Sequence, residues 1–509
     1  MHKINQVKAG AIVSYITIFF NIISGFLYTP WLIGQLGQSN YALFSLVNSV
    51  MTYFVLDFGL GASITRFIAR YRAEGAEHKV EQLLGVTTKL FLTLDFIILI
   101  ALITVYSLLG KIYVSLTPAE LENFKGIFII AGTVSLLSFP LLPVNGIFTA
   151  YERLYAQKLF DLLAKIITVS AVVIALLLGG SLFTVVFFNT SITFLVNLIK
   201  FLYIKRKEKI KIQITYRDKA MLKSIFGFSI WVMIASIADR FFFTFIPSLL
   251  GIISNTVEIS IFAVAVSVEN YICLFGSAFN NLYLPQVTRM VIAKEDKKKI
   301  TDLMIKVGRI QLIIVSLFVV ALVSMGKEFV ICWVGEKYIR SYYVMILILV
   351  PSLVHFSQAI GTEMIYATNN VKYRALVYSL GSVISIITTL TLGKSFGAIG
   401  AAVGISLALI LSHIILMNYI YYKKLGLDVM RYFKECHFKM YIPLLISCGI
   451  GFVISSIYPT TSLRLFIVKG AIWGVIHCVI LWLFVLNSSE KALVKGFIYK
   501  LKKGAKKNG

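Results

Sequence analysis

Apolar stretches long enough to cross a bilayer occupy nearly the whole of this 509-residue chain. The hydrocarbon core takes about 20 apolar residues per helix. Fourteen spans are expected, near 9–33, 41–69, 83–109, 125–150, 155–178, 181–204, 222–250, 257–284, 301–325, 341–367, 373–393, 398–422, 440–458 and 463–486. Two of them are open to being a re-entrant pair instead. The connectors are short and leave almost nothing for a soluble domain. Composition agrees, with 58% hydrophobic and 14% charged residues, against about 25% charged in a soluble globule. The expected fold class is all-α and polytopic.

The net charge of +26 would suggest nucleic acid in a soluble protein. Its placement argues for a membrane surface. With a cytoplasmic N-terminus, Lys3, Lys8, Arg70, Arg72, Lys79, Arg153 and Lys158 fall inside, as does the run from Lys205 to Lys219. Lys294, Lys297, Lys298, Lys299, Lys423, Lys424 and the basic tail fall on the same side. Roughly four in five Lys and Arg residues share that side, which is the positive-inside asymmetry. Both termini are therefore expected in the cytoplasm, with the basic loops against anionic lipid. No nucleic-acid partner is expected. The first span has no small-residue cleavage site after it and reads as a retained helix. The five cysteines are scattered and show no metal-ligand spacing.

The two halves resemble each other. Pro30 and Gly34 match Pro247 and Gly251 at an offset of 217. "ITRFIARY" has a counterpart in "VTRMVIAK", where Thr65-Arg66 matches Thr288-Arg289 at an offset of 223. "TAYERLYAQKLFDLL" faces "YATNNVKYRALVYSL", again at 217. Six spans per repeat is an even number, so the lobes should share one orientation and be related by an axis along the membrane normal. The expected organisation is a six-helix lobe at 1–204, a basic cytoplasmic linker at 205–221, a second six-helix lobe at 222–425, and two additional helices with a basic tail at 426–509. Repeats of this kind favour a transporter working by alternating access; a duplicated channel or scaffold is the competing reading.

The segment "LGQSNYALFSLVNSVMTYFVLDFGLGASITRFIARYRAEG" resembles the N-terminal region of bacterial polysaccharide flippases, the Wzx-type exporters of O-antigen and capsule units. The likeness extends over the chain in length, span count and two-lobe pattern. It implies the multidrug/oligosaccharidyl-lipid/polysaccharide exporter fold. The implied substrate is an undecaprenyl-pyrophosphate-linked oligosaccharide, moved between leaflets of the cytoplasmic membrane. A polysaccharide polymerase and chain-length proteins are the implied partners. The "PN..R" signature associated with lipid II flippases is not seen; that place reads "GASITRFIARY".

Charged residues at bilayer depth are costly and mark function by default. Asp57, Asp95, Asp239, Arg240, Glu269 and Glu363 are the cavity candidates, with Asn270 and Asn280 as neutral hydrogen-bonding groups. Asn21, Asn48, Asn281 and Gln358 could serve sugar hydroxyls in the same way, and Tyr271 or Trp231 could stack on sugar rings. Asp161 and Lys165 are four apart, so a local ion pair explains both. His355 and His413 read as satisfied core histidines. "IASIADRFFFTF" places adjacent opposite charges in one span. Adjacent helical residues do not face each other, so Arg240 should face a cavity or meet an acid elsewhere; the resemblance, in which spans one, two, seven and eight surround the cavity, implies Asp57 and Glu269 as partners. A guanidinium forks onto phosphate oxygens with two parallel hydrogen bonds.

Enzyme motifs are absent: there is no HExxH, no Gly-rich phosphate loop and no GxSxG. The longest outer loops, 110–124 and 326–340, hold fifteen residues each. No cofactor is expected. Coupling to H+ or Na+ stays open, and so does the alternative of an ion-coupled extruder of organic cations, whose cavity should be acidic. A scaffold subunit of a polysaccharide assembly is the third class.

Overall fold

The computed structural model describes residues 3–56, 59–277, 283–492 and 494–496. Among them every regular element is helical. In lipid no water satisfies exposed amides, so each crossing segment must close its own hydrogen bonds. The helices are α1 (Lys3–Phe54), α2 (Leu60–Ala73), α3 (Glu77–Ile112), α4 (Pro118–Ser138), α5 (Val144–Ala150), α6 (Leu154–Leu177), α7 (Leu182–Lys207), α8 (Lys219–Phe243), α9 (Ile246–Ile253) and α10 (Thr256–Ser277). Then come α11 (Leu284–Ile292), α12 (Lys297–Val334), α13 (Arg340–Phe356), α14 (Ala359–Ala367), α15 (Val371–Leu409), α16 (Met417–Lys423), α17 (Val429–Tyr432), α18 (Lys439–Ile457) and α19 (Leu463–Ile480).

Among the described residues ten helices are long and apolar enough to cross a membrane, or twelve if each of two bent pairs is one span. Fourteen were expected. Much of the difference lies in two continuous helices that run through a break. α1 turns at Gly37 (φ 75°) and α15 at Gly397 (φ 59°), without interrupting their helical hydrogen bonding for long. A 52-residue helix would be about 78 Å long at 1.5 Å per residue, far beyond a 30 Å core. The bent pairs are α8 with α9, at 48°, and α13 with α14, at 55°. Pro247, in the first turn of α9, suits a helix start because its missing N–H would have no partner there.

Gly397 shows why one break needs glycine. Its φ lies in the left-handed region, and an added Cβ would come within 2.1 Å of Glu258 Oε2. That carboxylate is buried and accepts the Ala398 N–H at 2.8 Å, serving an amide left open where the helix restarts.

The chain forms two compact units. One comprises Met1–Val266 with Val371–Ala408, the other Ser267–Asn370 with Leu409–Gly509. In the first, α1, α4, α6 and α7 pack on one another and α2 packs on α8. Leu43, Leu46, Leu60, Ile64 and Phe91 are fully buried there. The linker docks on α3: Gln213 N–H donates to the Glu81 carbonyl at 3.2 Å, and Lys89 to the Tyr216 carbonyl at 2.6 Å.

In the second unit α12 is the central element, contacting α13, α18 and α19. Two buried ion pairs clamp the C-terminal helices to it. Arg309 forks onto Glu490 at 2.6 and 2.9 Å and also donates to the carbonyls of Glu435 and Val485. Lys469 meets Glu328 at 2.5 Å, and Ser455 donates to the same carboxylate at 2.8 Å.

Candidate functional site

α8 carries the charges that matter most. Asp239 is solvent-accessible although protein atoms crowd around it. It lies in the fields of two cations, Arg374 and Arg240. Arg240 is half-buried, and its Nη1 donates to the Thr52 carbonyl near the end of α1 at 3.3 Å. Tyr53, Phe241 and Phe245 pack as an aromatic trio, with ring centroids 4.9–5.2 Å apart.

Arg374, three residues into α15, was passed over in the sequence. Its guanidinium sits 4.7 Å from the centroid of the Tyr378 ring, which packs on Phe242 of α8. An aromatic four positions after an arginine on a helix was the available signal, because such residues share a face. Among the described residues, two guanidiniums lie around the Asp239 carboxylate. Such a group can hold an anionic oxygen cluster with charge-assisted hydrogen bonds.

The other sequence candidates separate. Asp57 and Asn280, with Asn281, lie outside the described residues. Asp95 is half-buried on α3, a helix whose Phe96, Ile97 and Ile100 are exposed; its Oδ1 is buried with no hydrogen-bond partner among the described residues. Glu269 and Glu363 are buried in the second unit, on α10 and α14, and Asn270 beside Glu269 is exposed. The structure therefore brings Asp239 and Arg240 together with Arg374.

The local Asp161–Lys165 pair is not formed. Asp161 pairs with Lys200 of α7 at 2.5 Å and with Lys158 at 3.7 Å. Lys200 is buried and also donates to Asn145 Oδ1 at 3.2 Å. A better-placed cation on the neighbouring helix wins over the one a turn away.

Two histidines meet in the second unit. The His355 and His413 rings stand edge to face with centroids 4.3 Å apart, and Ser412 bonds His413 Nδ1 at 2.8 Å. His413 is buried inside a widened π turn, Ile410–Leu416. Gln358, at the α13–α14 bend, donates to Asn418 Oδ1 at 2.9 Å. Among the described residues no group of three His, Cys, Asp or Glu side chains could hold a metal ion.

An all-helical bundle with ten helices long and apolar enough to cross a membrane, and two bent pairs besides, marks a polytopic membrane protein. The comparisons agree. Residues 7–285 match the model of the polysaccharide biosynthesis protein family, and the chain belongs to that family. No curated protein sequence matches it. In structure it is similar to the lipid II flippase MurJ in an inward closed conformation, with a TM-score of 0.69 at 16% identity over 92% of this chain and 99% of that one. It is also similar to the MATE multidrug transporter DinF-BH, at 0.61 and 14%, covering 82% and 96%. A multidrug/oligosaccharidyl-lipid/polysaccharide exporter superfamily transporter from Pyrococcus furiosus aligns at 0.58 and 13%, covering 85% and 96%. At these identities the likeness is one of fold.

Proposed function

We propose that this protein flips lipid-linked oligosaccharide units across the cytoplasmic membrane for surface polysaccharide assembly, such as O-antigen, capsule or exopolysaccharide. The observation that carries the reading is the pair of arginines, Arg240 and Arg374, around the accessible Asp239. A lipid pyrophosphate must carry its charge through a low-dielectric region. Guanidiniums replace its hydration with fixed donors in fork geometry, while the polyprenyl tail stays in lipid. Alternating access would expose these charges to one leaflet and then the other. Energy would come from an ion gradient or from consumption of the flipped product. A polymerase and chain-length proteins would be its partners.

Extrusion of organic cations is the second reading, favoured by the accessibility of Asp239. One measurement separates the two: surface glycan in an export-null strain, normalised to membrane protein level. Arg240→Ala and Arg374→Ala should lose export, with Arg240→Lys retaining part because an ammonium is a point donor. Full export by well-expressed single and double arginine variants would end the anionic-substrate reading.

A further inference from the structure

A polar cavity of about 460 Å³ lies within the first unit, lined from α1, α6 and α7. That volume is in the range of small-molecule pockets, about 300–1,000 Å³. Its charged lining is Lys158, Asp161 and Lys165. Asp161 is already held between Lys200 and Lys158. Among the described residues no carboxylate lies within ion-pair distance of Lys165. Three lysines thus face one aspartate, a surplus of two positive charges. Lys165 lies eleven residues into α6, about 16 Å along the helix at 1.5 Å per residue. An unpaired ammonium is costly at membrane depth, so this one calls for a counter-anion.

The neutral lining fits an anion that carries hydroxyls. Thr17 and Thr193 donate their protons to backbone carbonyls, Val13 at 2.8 Å and Asn189 at 2.9 Å. Their oxygens keep lone pairs that can accept from a ligand. The amides of Asn21 and Asn189 supply both donors and acceptors. We infer that this cavity is an anion site for a phosphate or carboxylate group attached to a hydroxylated body, such as a sugar or a glycerol headgroup. Lys165 and Lys158 hold the anion; Thr17, Thr193 and the two amides hold the hydroxyls. A cation would meet Lys165 there, so the site is of opposite sign to a sodium or drug-cation site. The inference stands on this cavity alone and does not depend on the α8 charges.

The test is a footprint of Lys165 in the full-length wild-type protein. Acetic anhydride labels accessible amines, peptide mass spectrometry reads each lysine, and exposed Lys205 is the internal control. In phosphatidylcholine nanodiscs, glucose 1-phosphate or glucuronate should slow Lys165 acetylation at least fivefold, while glucose does nothing. The same protection in phosphatidylglycerol nanodiscs without added sugar would support the site with a lipid headgroup as its source. Direct binding of radiolabelled glucose 1-phosphate should weaken at least tenfold in Lys165→Gln and little in Lys165→Arg. No protection under either condition, or equal protection by neutral glucose, overturns the inference. Since the footprint reads the wild type, a poorly folding Lys165→Gln protein leaves the test intact.

Discussion

The Glu120 carboxylate accepts the Thr256 hydroxyl at 2.8 Å, joining residues 136 positions apart in the chain. The same oxygen accepts Ser39 at 2.6 Å, and the other oxygen caps α4 through the Thr117 N–H at 3.0 Å. Gln38 donates to Ser260 nearby at 3.0 Å, and Ser115 donates to the Gly251 carbonyl. One carboxylate thus ties together the Gly37 break, the start of α4 and the start of α10. The alternating access proposed above would require such ties to part.

Hydrogen bonds to a charged group contribute about 1.5–3 kcal/mol each. Glu120→Ala should therefore favour parting of these ties by about tenfold or more, since 1.4 kcal/mol is a factor of ten. Ser260 is fully buried beside the tie. A Ser260→Cys reporter should react with a small maleimide at least several times faster in the Glu120→Ala background. An unchanged rate would mean that the carboxylate is not what holds these segments together.

The α8 charges give a sign test. If anions are carried, Asp239→Asn removes a competing negative charge and should leave export at half or more of wild type. If cations are carried, the same change should abolish drug efflux and the arginines should be dispensable. Export and drug resistance measured on the same three variants, Asp239→Asn, Arg240→Ala and Arg374→Ala, decide between them.

The clamp between α12 and the tail is a stability prediction. Arg309 and Glu490 are both buried, and losing one partner of such a pair costs about 3–5 kcal/mol. Glu490→Ala should lower the apparent Tm of the purified protein markedly. The double change Arg309→Met with Glu490→Leu should recover most of it, because well-packed apolar residues often replace a buried pair without loss. Equal melting of the single variant and wild type would show that the pair is not a support.

Orientation is open to direct labelling. Asn255, between α9 and α10, and Ser395, two residues before the Gly397 break in α15, are exposed. Cysteines there should react with an impermeant reagent from outside intact cells, and cysteines within the basic 205–217 segment should not. The reverse pattern would invert the proposed topology and place the basic loops outside.

The pairing of charges was the least legible part of the chain. Asp161 and Lys165 obey the spacing of a helical ion pair, and the spacing misled. Lys200 sits at the corresponding height on α7 and comes closer than a residue one turn away. Arg374 is hard to single out because an arginine near a helix start reads as an orienting charge. Only the packing of Tyr378 against Phe242 shows that it serves α8.

Apolar length and charge placement by themselves determined that this chain is a helical membrane protein, and its N-terminal residues carried its family. Both follow from the solvent: a bilayer core without water leaves the backbone few choices, and charge at depth is too expensive to be scattered by chance. Tertiary structure alone decided which polar and charged groups meet. Helical periodicity sets which residues share a face, yet Asp161 with Lys200, Glu328 with Lys469, and Glu120 with Thr256 are joined across helices 39, 141 and 136 positions apart. Partners at such separations are chosen by how helices pack, and no local spacing encodes that.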